Sequence, residues 1–242
     1  MSQEPSTTTE KDPELPSPDR FNFWWGFFYV LSNIFSSIWF RLRGYHQDRL
    51  PAKGGALLLL NHQSFLDPVL VGTVINRSVS YVARDSLFKV PVIGFILRNT
   101  YVMPIRRESA TSSTIREAVR RLNHGFLVGL FPEGTRSADG TVGAFKPGFL
   151  SILKRAEVPI IPVGIAGAYE AMPRGSFWIR PRKICVVFGE PITAEEIKAH
   201  FESDQTDKEF VAGLQQRVEV CQQEAAVRRQ GIVPGASETT AD

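Results

Sequence analysis

Short apolar runs, each stopped by Gly, Pro, Asn or a charged residue, recur through the middle of this chain. The pattern predicts buried strands over Ala56–Leu60, Val79–Ala83, Tyr101–Ile105, Phe126–Leu130, Ile160–Ile165 and Ile184–Phe188, with a further short strand near Arg43–Gln47. Between them, apolar residues spaced for a helix predict helices over Pro68–Ile75, Pro91–Arg98, Ser109–Asn123 and Gly148–Ala156. Strands alternating with helices predict an α/β fold, a mainly parallel or mixed central sheet flanked by helices, with ligands gathering at the carboxyl ends of the strands.

The two ends of the chain read differently. Residues 1–20 are rich in Ser, Thr, Pro and acid, with few large apolar side chains, and read as a disordered tail without the pattern of a cleaved signal peptide. Phe21–Phe40 then carries no formal charge and includes Trp24, Trp25 and Trp39. At roughly 100° per residue, Asn22, Gly26, Tyr29, Asn33, Ser36 and Ser37 fall in one narrow stripe, and nearly everything else is large and apolar. Such a helix, residues 21–42 with Arg41 and Arg43 on the headgroup side, is expected to lie in or partly within a membrane surface. A transmembrane span and packing of the apolar face on the protein's own core are the two alternatives. At the other end, Pro191–Gln230 is a helical region opened by a capping box of Thr193 and Glu196, expected to cover the domain, and residues 231–242 read as a second disordered tail.

Chemistry concentrates just past two of the strands. After Ala56–Leu60 comes NHQSFLDP, residues 61–68; Asp67 followed by Pro68 has the form of a helix start, with Asp as N-cap and Pro at the first helical position. On a continuous helix His62 and Asp67 would point roughly 140° apart, but a turn between strand and helix can fold the carboxylate onto the imidazole. The carboxylate would then fix the tautomer of a base able to take a proton from an alcohol. Ser64 lacks the context of a nucleophile, while Asn61 and the N–H groups near the helix start are oxyanion candidates by position. After Phe126–Leu130 comes LFPEGTRS, residues 130–137, where Gly134, Thr135 and Arg136 offer backbone N–H groups and a guanidinium fork to a phosphate. Arg107 is a further candidate for that role, Lys146 could pair with a donor or acceptor phosphate, and His46, His124 and His200 read as surface or packing residues.

A histidine and an aspartate separated by four residues, with Phe-Pro-Glu-Gly-Thr-Arg-Ser downstream, YVMPIRR at 101–107 and VPIIPVGI at 158–165, resembles the glycerolipid acyltransferases, in particular the 1-acyl-glycerol-3-phosphate (lysophosphatidate) acyltransferase type. The resemblance covers residues 43–190. It implies that His62 and Asp67 are catalytic, and that Glu133, Gly134, Arg136 and Arg107 help bind the acceptor. It also implies acyl transfer from acyl-CoA or acyl-carrier protein to the free hydroxyl of a lysophospholipid, with glycerol-3-phosphate as the alternative acceptor and a non-catalytic lipid-binding protein as the rival outside enzymes. Thioester transfer of this kind requires no metal or redox cofactor. The sequence departs from the family at Tyr101, near a position where a small Gly is common, and a ring there is expected to narrow the pocket.

Charge supports lipid and phosphate as partners. The net charge is +3 overall, but residues 41–190 stand at +11 between two acidic ends. A basic body attracts anionic headgroups or phosphorylated substrates, and no nucleic-acid module is recognisable. Cys185 and Cys221 show no disulfide or metal spacing, which fits a reducing compartment. The expected location is membrane-associated, with the active site on the cytoplasmic side.

Overall fold

The computed structural model describes residues 15–18, 22–105 and 112–232. Among these residues the strands are β1 (Arg43–Tyr45), β2 (Ala56–Leu60), β3 (Val79–Arg84), β4 (Met103–Ile105), β5 (Leu127–Leu130), β6 (Ile160–Ala166) and β7 (Cys185–Phe188). The helices are α1 (Phe23–Trp39), α2 (Asp67–Val74), α3 (Pro91–Asn99), α4 (Ser112–Asn123), α5 (Leu150–Leu153), α6 (Ala168–Ala171), α7 (Ala194–Glu202) and α8 (Asp207–Arg229). Every residue of β2 is buried, as a strand covered on both faces requires. It is the central strand of one mixed sheet in the order β1-β7-β6-β2-β5-β3-β4. All neighbours in that order run parallel except β6 and β7.

The period-two rule divides the apolar residues of β2 between two cores. Leu57 and Leu59 face a layer with Leu122, Phe149, Ile152, Ile197, Leu214 and Val218, drawn from α4, α5, α7, α8 and the turn before α5. Ala56, Leu58 and Leu60 face a layer with Leu70, Val71, Ile75, Ile161 and Phe188. At roughly 1.5–3 kcal/mol for each fully buried large apolar side chain, this double covering holds β2 and its carboxyl end in place. Cys185 and Cys221 are both free and buried.

Two expected elements are corrected, and the expected helical region 191–230 is found as two helices. Gly148–Ala156 is a tight turn followed by the four-residue α5. Phe149, Leu150, Ile152 and Leu153 are all buried, so the segment enters the core instead of lying across it as an amphipathic helix. The 191–230 region breaks into α7 and α8 because Ser203 is extended and Thr206 with Glu209 forms a second capping box. Strand β4 begins at Met103, since Tyr101 has a φ of 61°, a left-handed backbone that no strand contains. The start of the predicted 109–123 helix, most of the N-terminal tail and residues 233–242 lie outside the described residues.

Helix α1 settles one alternative. Much of its polar stripe turns towards the domain: Asn22 donates to the Asn99 carbonyl of α3, Asn33 to the Thr73 carbonyl of α2, and Ser36 is buried, while beside the stripe Ser32 accepts the Thr73 hydroxyl at 3.1 Å. Phe23, Phe27, Val30, Leu31, Ile34 and Ile38 face solvent. The broad apolar face therefore does not pack on the protein's own core; Trp25 alone is buried within the helix's aromatic set, beside Tyr101 and Phe126. Among the described residues, no helix is long and apolar enough to cross a membrane.

Tyr101 is likewise corrected. Its ring packs against Phe126 at 5.5 Å, just before β5 begins, whereas His62 follows the carboxyl end of the parallel strand β2. The ring therefore lies at the opposite end of the sheet and does not narrow the pocket.

Candidate active site

The turn between β2 and α2 folds Asp67 back onto His62. One carboxylate oxygen, Oδ2, accepts from His62 Nδ1 at 2.8 Å, from the Gln63 N–H at 2.7 Å and from the Ser64 N–H at 2.8 Å. Asp67 is thus the first residue of α2 and Leu66 its N-cap, which corrects the expected capping role. The carboxylate turns backward because three donors lie behind it and Pro68 supplies no N–H ahead. Burial raises the Asp67 carboxyl above its ordinary value, and His62 and the two backbone donors oppose that rise. Oδ2 already accepts the Gln63 and Ser64 N–H groups, so towards His62 it acts as an acceptor. Nδ1–H of His62 is thereby fixed, leaving Nε2 of a ring that is 18% exposed as the basic nitrogen.

Two expected oxyanion candidates are already committed. The Asn61 amide is fully buried and bridges to β6, donating to the Ile165 carbonyl and accepting the Ile165 N–H. The backbone donors of Gln63 and Ser64 belong to Asp67. The Ser64 hydroxyl is also buried and donates to the Met172 carbonyl at 2.8 Å, which agrees with its exclusion as a nucleophile.

The loop after β5 grips the backbone of the histidine. Glu133 is buried; its Oε1 accepts the His62 N–H at 2.8 Å and its Oε2 accepts the Gly143 N–H at 3.1 Å. The Ser137 N–H donates to the His62 carbonyl at 2.7 Å. Both backbone groups of His62 are therefore held by one loop, and the turn that carries them needs Gly134 at a φ of 70°. Burial raises the Glu133 carboxyl, with its two backbone hydrogen bonds pulling the other way. Both Glu133 oxygens are thus engaged by backbone, holding the segment that carries the imidazole.

Aromatic support for His62 was not anticipated from the sequence. Phe131 stacks on the imidazole with centroids 4.1 Å apart, and Tyr81 lies beyond it, nearly parallel to Phe131. Tyr81 is paired with Gly129, where a Cβ would come within 2.2 Å of the tyrosine ring. Gly129, in mid-strand, was the available signal, since such a glycine marks close approach of another group.

Positive charge gathers beside this pair. The guanidinium of Arg136 lies 3.6 Å over the ring of Phe65, and its Nη1 is buried without a hydrogen-bond partner. Burial first, and then the neighbouring Arg174, lower its pKa from the ordinary value. The Lys146 ammonium lies within 3.0 Å of the point where a Cβ on Gly134 would stand. Gly134 and Thr135 are exposed beside them. Arg107 lies outside the described residues.

An imidazole held by a carboxylate at the carboxyl end of a central strand, with cations beside it, is an arrangement able to take a proton from a hydroxyl next to a bound anion. The chain belongs to the acyltransferase family, whose model matches residues 41–166. It is 27% identical over 175 residues to a 1-acyl-sn-glycerol-3-phosphate acyltransferase of Bacillus subtilis, covering 72% of this chain and 84% of the relative. It is 35% identical over 118 residues to a chloroplastic enzyme of the same description from Brassica napus, covering 48% of this chain but only 34% of that longer protein. The crystal structure of the lysophosphatidate acyltransferase PlsC from Thermotoga maritima shares the fold with a TM-score of 0.71, at 24% identity over 84% of this chain and 80% of that one.

Proposed function

We propose that the protein transfers an acyl group from acyl-CoA or acyl-carrier protein to the free hydroxyl of lysophosphatidate, giving phosphatidate for phospholipid synthesis, at an anionic membrane surface on the cytoplasmic side. The observation that carries the reading is the His62 Nδ1–Asp67 bond, which leaves Nε2 as a base. In this reading Nε2 takes the hydroxyl proton as the acceptor oxygen attacks the thioester carbonyl. The C–S bond then breaks, and the imidazolium returns the proton to the departing thiolate. The thioester is already activated, so no covalent enzyme intermediate is needed. Asp67 stabilises the imidazolium. In this reading Arg136 holds the acceptor phosphate, with Gly134 and Thr135 beside it and Arg107 assigned the same role from the resemblance, and Lys146 pairs with a phosphate of the acceptor or the donor. The outward apolar face of α1 would bring the site to its lipid.

Assay of the purified protein with lysophosphatidate, glycerol-3-phosphate and a phosphate-free lysolipid, each with both donor types, tests this reading. Turnover is expected with lysophosphatidate foremost. Turnover of none of the acceptors with either donor would favour a lipid-binding role instead.

A further inference from the structure

The loop between α6 and β7 takes no part in this chemistry, yet it displays the two most exposed large aromatic residues described. Phe177 is 92% and Trp178 82% exposed. Arg174, Arg180 and Arg182 flank them, also exposed, and the loop carries no acidic residue. Its shape is fixed by hydrogen bonds. The Ser176 N–H donates to the Pro173 carbonyl at 3.1 Å, the Ser176 hydroxyl accepts the Trp178 N–H at 3.2 Å, and the Arg180 N–H donates to the Ala171 carbonyl at 2.9 Å.

Two ties place this tip in relation to the rest. At its start, the Met172 carbonyl accepts the Ser64 hydroxyl from within the turn that carries His62 and Asp67. Near its end, the Ile179 carbonyl accepts Nε1–H of Trp39, the last residue of α1, at 3.3 Å. The aromatic tip therefore stands between the active-site turn and the helix whose apolar face is turned to solvent.

We infer that Phe177 and Trp178 form a second membrane-docking element, entering an anionic phospholipid surface while Arg180 and Arg182 pair with its phosphates. The inference rests on the lysolipid reading above and adds to it where the bilayer touches the protein. Aromatic rings with a polar edge favour the depth of the headgroups, and guanidinium groups match phosphate oxygens. Charge decides between occupants. An apolar protein partner gives no reason for several arginines with no acid among them, whereas anionic lipid does. With the loop tied to the end of α1 on one side and to the active-site turn on the other, the bilayer meets the protein at two adjoining places that lead towards the site, and a lipid acceptor has a short path to His62.

The test uses the full chain and two variants, Phe177→Ala/Trp178→Ala and Arg180→Gln/Arg182→Gln, after thermal unfolding has shown that they fold as the parent does. Binding is measured by cosedimentation with phosphatidylcholine vesicles, with and without phosphatidylglycerol. The aromatic variant is expected to bind both vesicle types at least about 10-fold more weakly, and the arginine variant to lose most of its preference for phosphatidylglycerol. Turnover of vesicle-borne lysophosphatidate should fall with binding in the aromatic variant, while turnover of a dispersed short-chain lysophosphatidate stays at the parent level. Unchanged vesicle binding in the aromatic variant overturns the proposal. So does parent protein that self-associates without lipid through a contact the variant abolishes, because the loop would then be an interface between copies. Vesicle binding requires no catalysis, so a parent inactive on the dispersed acceptor would contradict the acyltransferase reading and leave the docking result standing.

Discussion

The carboxylate of Glu133 accepts the backbone N–H of His62 at 2.8 Å, so the loop after β5 fixes the height of the imidazole that follows its neighbour β2. Glu133→Gln keeps one acceptor but points an amide N–H at the second backbone donor. The expected result is a fall in kcat of roughly 10- to 100-fold with the acceptor KM little changed, because the base is displaced while phosphate binding is not. Steady-state kinetics on lysophosphatidate measure this, and a raised acceptor KM with unchanged kcat would mean that Glu133 touches the substrate. The same variant has a pH signature. Burial raises the folded-state carboxyl above 4.5, so its contribution to stability is present at low pH and is lost as pH rises through the folded-state value. Thermal unfolding across acid to neutral pH should show less of that decline in Glu133→Gln than in the parent.

Arg136 stands over Phe65 with an unpaired buried nitrogen, which suits a phosphate binder. Arg136→Ala is expected to raise the acceptor KM by about 10- to 100-fold, the range for losing hydrogen bonds to a charged group. Donor KM should move less. Arg136→Lys should recover only part of the loss, because an ammonium neither forks nor stacks as a guanidinium does. An equal loss on a phosphate-free acceptor would remove Arg136 from phosphate binding.

Most of the fold was legible because β2, β5, β6 and β7 are short apolar runs with sharp stops, and the site was legible because both motifs sit directly after such runs. What escaped was set by tertiary contact. The Asp67–His62 pairing across the turn was legible, but the N-cap role was not borne out, because local donors from residues 62–64 occupy the carboxylate. Phe131 and Tyr81 look like ordinary core residues until β2 and β5 pair and set Phe131 on His62, and β3 and β5 pair and set Tyr81 on Phe131. The outward turn of the apolar face of α1 is as expected; which neighbours its polar side would meet was not legible, and they are α2 and α3.

The Tyr101 ring belongs to the Trp25–Phe126 cluster and not to the pocket. Tyr101→Gly relieves a left-handed backbone worth about 1–2 kcal/mol but removes ring packing worth roughly 3–5 kcal/mol. A net loss of roughly 1–4 kcal/mol is expected in denaturant unfolding, with the ratio of kcat/KM between acceptors unchanged. A shift in that ratio would return the ring to the pocket.

The outward residues of α1 can be tested without unseating the helix. Serine at Phe27, Leu31, Ile34 and Ile38, all exposed, should leave thermal stability near that of the parent while weakening binding to anionic vesicles by about 100-fold or more, since partial burial of four such side chains is worth several kcal/mol. Retained vesicle binding would show that α1 is not the anchor.

The central claim is that Nε2 of His62, with Nδ1 tied to Asp67, is the base. The most direct measurement is the turnover of lysophosphatidate by His62→Ala, under saturating donor, beside the parent. The account predicts a loss of about 10²- to 10⁴-fold, the usual worth of a positioned general base, in a protein whose circular dichroism is unchanged. Turnover within a few-fold of the parent would contradict it.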